Sequence, residues 1–189
     1  TYFPKHPDAR EAAERMRGVF RRLYFEGEAD NISPLKALAL YDEFRELTPA
    51  GPEGNIMIQK LAERLVNVDL LDKASDVLSH QVKFRLKGEE KAGVGTKLAL
   101  IRLIARDPQG ALGALRDSFY PNVSLEIEND RRRIRAKAEF ELGKANDAIA
   151  LLAGDISREA DLLRSAIYFR EQNWGEAGKV YQRLVGDPP

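Results

Sequence analysis

The sequence contains no cysteine, only two histidines, no net charge and no long apolar run. Without cysteine, neither a disulfide framework nor a thiolate zinc site is possible, and this absence fits cytoplasm and periplasm equally well. The two histidines, His6 and His80, are too far apart to form a recognisable zinc motif. Lys plus Arg and Asp plus Glu both number 30, so the charge balance argues against a general nucleic-acid binder.

Apolar residues are plentiful but scattered along the chain. No run reaches the ~20 residues of a membrane span, and the most apolar stretch, residues 98–105, carries Arg102 in its middle. No signal peptide is recognised either. We therefore expect no membrane insertion, with the compartment left open between cytoplasm and periplasm. The 43% hydrophobic and 32% charged residues instead suit amphipathic helices around one core, in one domain or one continuous solenoid.

The most regular stretch is residues 158–189, where the apolar spacing predicts two short amphipathic helices joined by a turn at Gln172-Asn173. Small residues at Ser165 and Ala177 would let these helices cross closely. The residues expected to face inward are Ala160, Leu163 and Ile167 in the first helix, and Trp174, Ala177, Tyr181 and Leu184 in the second.

One feature of this pair recurs upstream: an alanine followed four positions later by a large apolar residue. The first three intervals between copies are 37 residues and the last is 29. A recurring period of this size indicates a solenoid of stacked helical hairpins. The five copies are Ala37 with Tyr41, Ala74 with Leu78, Ala111 with Leu115, Ala148 with Leu152, and Ala177 with Tyr181.

These residues resemble the tetratricopeptide repeat, whose period is about 34 residues. The last copy matches best, with Ser165, Tyr168, Trp174, Ala177, Tyr181 and the closing Pro189 in the expected places. The resemblance implies an all-α solenoid of about five stacked hairpins, forming a single domain over residues 1–189. It also implies a non-catalytic scaffold that binds a peptide or partner helix on a concave face lined by the first helix of each hairpin. The corresponding candidate contacts are Gln59, Glu63, Asn67, Arg133, Lys137, Glu141 and Arg170.

Two patterns suggest catalysis or nucleotide binding and are interpreted otherwise. Residues 82–86 alternate as a strand would, and a glycine-containing stretch, 88–95, precedes a helix, as in a phosphate loop. That motif needs Lys directly after its last glycine, whereas Thr96-Lys97 has the opposite order, so a helix end and a turn are expected. His80 beside Ser79 is interpreted as a surface histidine, because adjacent residues on a helix point apart. No cofactor is expected, neither zinc nor ATP.

The densest basic run, residues 131–135, allows two interpretations. It is either a solvated helix with internal salt bridges or a basic spot in the groove that grips an acidic peptide. A carboxylate clamp for a peptide C-terminus is not expected, because the paired positions, such as Arg133 and Lys137, hold no Lys–Asn pair.

Two alternatives to a binding scaffold stay open. One is a structural segment of a longer repeat protein with no ligand of its own, and the other is an enzyme with an unrecognised site. Because the best repeat is the last one and ends at Pro189, we expect the chain to be a piece of a longer protein. A homodimer through the C-terminal helix would cover the same apolar residues.

Overall fold

The computed structural model describes residues 11, 14–15, 18–19, 21–22 and 32–186. The predicted irregular N-terminus, most of the predicted first helix, His6 and the closing Pro189 lie outside these residues. The described positions between 11 and 22 are helical. Within residues 32–186 the fold is all-α, with one 3₁₀ helix, Arg45–Leu47, and no strand. The nine α-helices of this range are α1 Pro34–Glu43, α2 Pro52–Val66, α3 Leu71–Phe84, α4 Gly88–Ile104, α5 Pro108–Asp117, α6 Leu125–Glu141, α7 Ala145–Leu151, α8 Arg158–Arg170 and α9 Trp174–Val185.

Several helices begin where the sequence supplies a capping side chain. Ser33 accepts a hydrogen bond from the Lys36 backbone N–H, and Pro34 takes the first position of α1. The Asp107 side chain likewise accepts a hydrogen bond from the Gly110 backbone N–H at 2.8 Å, and Pro108 takes the first position of α5. Both starts follow the sequence pattern of a capping residue and then proline, which suits this position because proline lacks the N–H that is unsatisfied there in any case.

The chain divides into two compact units, residues 1–81 and 82–189. In the first unit α1 packs against α2, and both helices bury apolar residues at helical spacing. The buried Gln81 side chain donates from Nε2 to the Asn55 carbonyl at 2.9 Å, which ties α3 to the start of α2. The largest buried apolar side chains of this unit are Tyr41, Met57, Ile58, Leu61, Leu65 and Leu78.

The second unit contains three successive hairpins, α4/α5, α6/α7 and α8/α9. The two helices of each hairpin pack together, and each second helix also contacts the first helix of the next hairpin. The first helices contact one another in turn, α4 with α6 and α6 with α8. This recurring scheme is compatible with a helical repeat. The core between the last two hairpins comprises Ala136, Phe140, Ala148, Leu152, Ala160 and Ile167.

The five anchor alanines of the predicted repeat are all buried, four of them completely. Ala37, Ala74, Ala111, Ala148 and Ala177 therefore lie where a larger side chain has no space. Their burial confirms the alanine period as a packing signal.

The glycine-containing stretch is helical, which corrects the expected turn over residues 87–95. Helix α3 continues to Phe84, α4 begins at Gly88, and residues 82–84 are helix and not strand. A Cβ placed on Gly95 would lie 1.9 Å from the Ser118 Oγ and 2.1 Å from its Cβ. The glycine at this position therefore allows α4 to touch the end of α5.

The last helix buries a different stripe from the predicted one. Ala177 and Val180 are buried, whereas Trp174 is 59% exposed and Tyr181 47%. At 100° per residue, Trp174 and Tyr181 lie on the edge of the arc centred on Ala177 and Val180. The Trp174 ring instead packs edge-on against Phe169, with 5.2 Å between the ring centroids.

A substitution pair in α9 tests this crossing. Ala177→Leu should lower the free energy of unfolding by about 1–3 kcal/mol, because the added atoms overpack a buried position. Gly178→Ala, one residue along, adds a Cβ that meets nothing within 4 Å and should stabilise the helix by up to about 1 kcal/mol. Urea denaturation measures both, and an unchanged midpoint for Ala177→Leu would place this residue away from the crossing.

A second pair tests the contact of α4 with α5. Gly95→Ala should destabilise by about 1–3 kcal/mol, since its Cβ would overlap Ser118. Gly93→Ala is the matched control, because its Cβ would be 3.7 Å from Ile127 Cδ1, an ordinary contact. Equal melting temperatures for the two variants would contradict the close approach at Gly95.

Candidate functional site

Helix α6 carries most of the charged residues that were singled out, and they point in opposite directions. At 100° per residue, four charged positions fall within about 60° of one another, and three others lie roughly half a turn away. We call the first set the cleft face and the second the predicted face of α6. The cleft face is Glu128, Arg132, Arg135 and Glu139, and the predicted face is Arg133, Lys137 and Glu141.

Arg133, a predicted contact residue, is engaged within the protein. Its guanidinium donates to Asp130 at 2.6 Å, to Asp155 at 3.0 Å and to the Ser157 hydroxyl at 3.1 Å, and its side chain is 20% exposed. Burial acts to lower the pKa of Arg133, but these hydrogen bonds and the two carboxylates raise it overall. The residue therefore holds α6 to the loop between α7 and α8.

The other predicted contacts of the second unit remain at the surface of two touching helices. Lys137 pairs with Glu141 at 3.2 Å along α6. On α8, the exposed Arg170 places its guanidinium 5.1 Å from the centre of the Phe140 ring. Since α6 contacts α8, the fold brings Lys137, Glu141 and Arg170 to neighbouring first helices.

The remaining predicted contacts lie in the first unit, two of them on α2 and Asn67 directly after its end. Glu63 and Asn67 are exposed and Gln59 is half-buried. Their spacing of four residues places them along one side of the helix. Each unit therefore carries some of the predicted contact residues.

A cleft of about 750 Å³ lies on the opposite side of α6. It belongs entirely to the second unit and is bounded by α5, the segment after it, α6 and the end of α7. Its lining combines apolar side chains with four arginines and two glutamates. The lining residues are Leu112, Leu115, Arg116, Phe119, Glu128, Arg131, Arg132, Arg135, Glu139 and Leu151.

The ion pairs of the cleft leave part of its positive charge unbalanced. Glu128 pairs with Arg132 at 2.9 Å, and Glu139 lies 3.1 Å from Lys144, which is outside the lining. Among the described residues, Arg116 pairs only with the adjacent, largely exposed Asp117. The lining itself carries four arginines against two glutamates.

Arg131 differs from Arg116 and Arg132 of the lining because all its described acceptors are uncharged. It donates to the Ala92 carbonyl at 3.0 Å and the Thr96 hydroxyl at 3.2 Å on α4. At the end of α5 it donates to the Leu115 carbonyl and to the Ser118 hydroxyl at 3.1 Å. Burial lowers the pKa of the Arg131 guanidinium. Its charge is thus anchored beside the cleft without a carboxylate partner in the described part of the chain.

A second ion-pair cluster fixes the last hairpin. Asp161 is buried and accepts from Arg164 at 2.7 Å on its own helix and from Arg183 at 2.8 Å on α9. Arg164 also donates to the carbonyls of Leu152 and Asp155, in the loop that follows α7. The hydrogen bond from Arg183, followed by that from Arg164, lowers the pKa of Asp161 despite its burial.

The first unit has a smaller cleft of about 270 Å³. His80, which was expected at the surface, is half-buried and lines this cleft with Asp42, Lys73 and Asp76. Among the described residues, no three His, Cys, Asp or Glu side chains converge as metal ligands would. Within the same residues, no helix combines the length and apolarity of a membrane span.

No protein-family model, curated protein or solved structure matches this chain significantly. The evidence for its function is therefore the geometry of its own residues.

Sequence reasoning found the arginine run of α6 but not the cleft. The signal was present, because Glu128, Arg132, Arg135 and Glu139 repeat at helical spacing along one side. The apolar half of the lining comes from α5, the segment after it and α7. Phe119, in the segment after α5, is 71% exposed.

Asp161→Asn tests the ion-pair cluster through its pH dependence. A carboxylate whose pKa is lower in the folded state stabilises above its unfolded pKa of about 3.9, and this stabilisation is lost as pH falls through the folded pKa. The variant should therefore unfold more easily at about pH 7, and its difference from the wild type should shrink towards about pH 2. Asp117→Asn, at an exposed pair, is the control and should change little. A difference for Asp161→Asn that does not vary with pH would contradict the assignment.

Proposed function

We propose that the protein is a tetratricopeptide-like α-solenoid that acts as a non-catalytic protein-interaction module. It binds a peptide or a partner helix, and the first helices of its hairpins supply part of the binding surface. The observation that carries this proposal is the recurring packing of residues 88–185. Three hairpins follow one another there, with first helix on first helix and second helix on the next first helix. Such an arrangement exposes a row of helix faces, which is the usual basis of binding in helical repeats.

The predicted face offers suitable chemistry for a partner segment. Lys137 pairs with Glu141 along one helix, an arrangement that contributes little stability in water. Arg170 beside them keeps its guanidinium exposed over an aromatic ring. A partner's charged side chains can therefore replace these contacts at low cost.

Two other functions remain as alternatives. A structural segment with no ligand of its own would use its surfaces only to pack against further repeats. An enzyme would need reacting groups in one of the clefts. The larger cleft offers arginines and two paired glutamates, groups that favour binding of anions over proton transfer.

Photo-crosslinking in cells that express the intact protein tests the proposal. A photoreactive amino acid at Lys137, and separately at Arg170, should capture the same protein partner. Lys179, on the exposed side of α9 and paired with Glu176, is the control position. Arg170→Glu with the photoreactive residue at position 137, and Lys137→Glu with it at position 170, should each reduce capture at least about threefold, because each reverses one charge at the contact. A third photoreactive position, Arg135, lies on the cleft face of α6. The proposal fails if none of these three positions captures more than Lys179 does.

A further inference from the structure

We infer that the cleft bounded by α5, α6 and α7 binds an acidic amphipathic helix of a partner protein. This inference rests on the proposed function and names the chemistry of a partner at a surface that the resemblance does not assign. The occupant would place carboxylates against the arginines and large apolar side chains against the leucines and Phe119. Size, charge and the apolar lining support this occupant.

Half of the arginines in the cleft lining have no carboxylate partner in the described part of the chain. Arg132 pairs with a glutamate of the lining, and Arg116 pairs there with the exposed Asp117. The exposed Arg135 has no ion pair among the described residues. Arginine binds carboxylates through two parallel N–H donors, so these side chains suit acidic residues of a partner.

Arg131 adds a fixed positive charge behind the exposed arginines. Its four hydrogen bonds run from Nη1 and Nη2 to carbonyl and hydroxyl oxygens, but they do not cancel its charge. Burial without an opposite charge is costly for a cation. A partner carboxylate in the cleft would lower this cost, since it would stand in the low-dielectric surroundings where the attraction is strongest.

The apolar lining selects an amphipathic partner over a small anion. Leu112, Leu115 and Phe119 follow one side of α5 and the segment after it, and Leu151 closes the other side. A helix laid between α5 and α7 would bury its own apolar residues there, in the manner of other helix-in-groove complexes. The volume of about 750 Å³ admits a few large side chains, as such a helix would insert.

The charges of the whole chain favour a protein partner over a nucleic acid. Lys plus Arg equals Asp plus Glu at 30 each, and two glutamates line the cleft itself. A phosphate backbone would meet these glutamates, whereas an amphipathic helix can direct Lys or polar side chains at them. The observations therefore favour an acidic helix, and an oligonucleotide becomes an outcome of the test.

Peptide display against the intact, folded protein tests this inference. A library of random 16-residue peptides should yield binders rich in Asp and Glu, with Leu or Phe at helical spacing. Their affinity, measured by fluorescence anisotropy, should fall at least about tenfold for the double variant Arg132→Glu with Arg135→Glu. Two controls should keep the affinity within about twofold of the wild type. One is Lys87→Glu, which makes the same charge change at one residue outside the cleft lining. The other is the double variant Lys137→Glu with Arg170→Glu. Circular dichroism and thermal melting establish that each variant is folded.

Each other outcome overturns the inference in a distinct way. Binders that are lost only with the Lys137 and Arg170 reversal would remove the cleft site and leave the proposed function intact. Binders without acidic residues would remove the charge argument. No enriched peptide at all would count against both the inference and the proposed function. A single-stranded or duplex oligonucleotide that binds the wild type and not the cleft variant, in the absence of peptide binders, would reassign the cleft to nucleic acid.

Discussion

The guanidinium of Arg131 joins three helices of the second unit. It reaches from α6 to Ala92 and Thr96 on α4, and to Leu115 and Ser118 at the end of α5. The carbonyl at the end of a helix needs a donor, and this side chain supplies one while crossing to a second helix. Arg131 therefore links the α4/α5 hairpin to α6, the first helix of the next hairpin, at the wall of the cleft.

Small residues make that packing possible, and the sequence predicted only part of them. The alanine period identified five positions that are buried. It could do so because a small side chain required at the same place in successive hairpins recurs at a regular interval in the sequence. Gly95 serves the same purpose at its contact with Ser118, yet glycine is typical of turns and its neighbours Gly88 and Gly93 strengthened that interpretation. Composition alone cannot distinguish a glycine that bends the chain from one that lets two helices touch.

The candidate site was predictable where it depends on one helix and unpredictable where it depends on several. The spread of the arginines around α6 follows from 100° per residue. That Arg133 would be held by Asp155 and Ser157 does not, because those partners lie 22 and 24 residues later and are brought near only by the α7–α8 turn. The exposure of Trp174 and Tyr181 is likewise a tertiary result, since the buried arc is centred on Ala177 and Val180 and leaves these two residues at its edge.

The arginine run of α6 divides its side chains between helix packing and the cleft. Arg131 and Arg133 are directed to different neighbours and hold α6 against α4, α5 and the loop before α8. Arg132 and Arg135 lie between these two directions and line the cleft. In the proposed complex, Arg132 and Arg135 would therefore bind the partner while Arg131 and Arg133 keep the contacts that hold α6. A chain with no net charge can therefore still contain a locally cationic cleft, because most of its acidic residues lie elsewhere. The local geometry determines which of the arginines stay accessible.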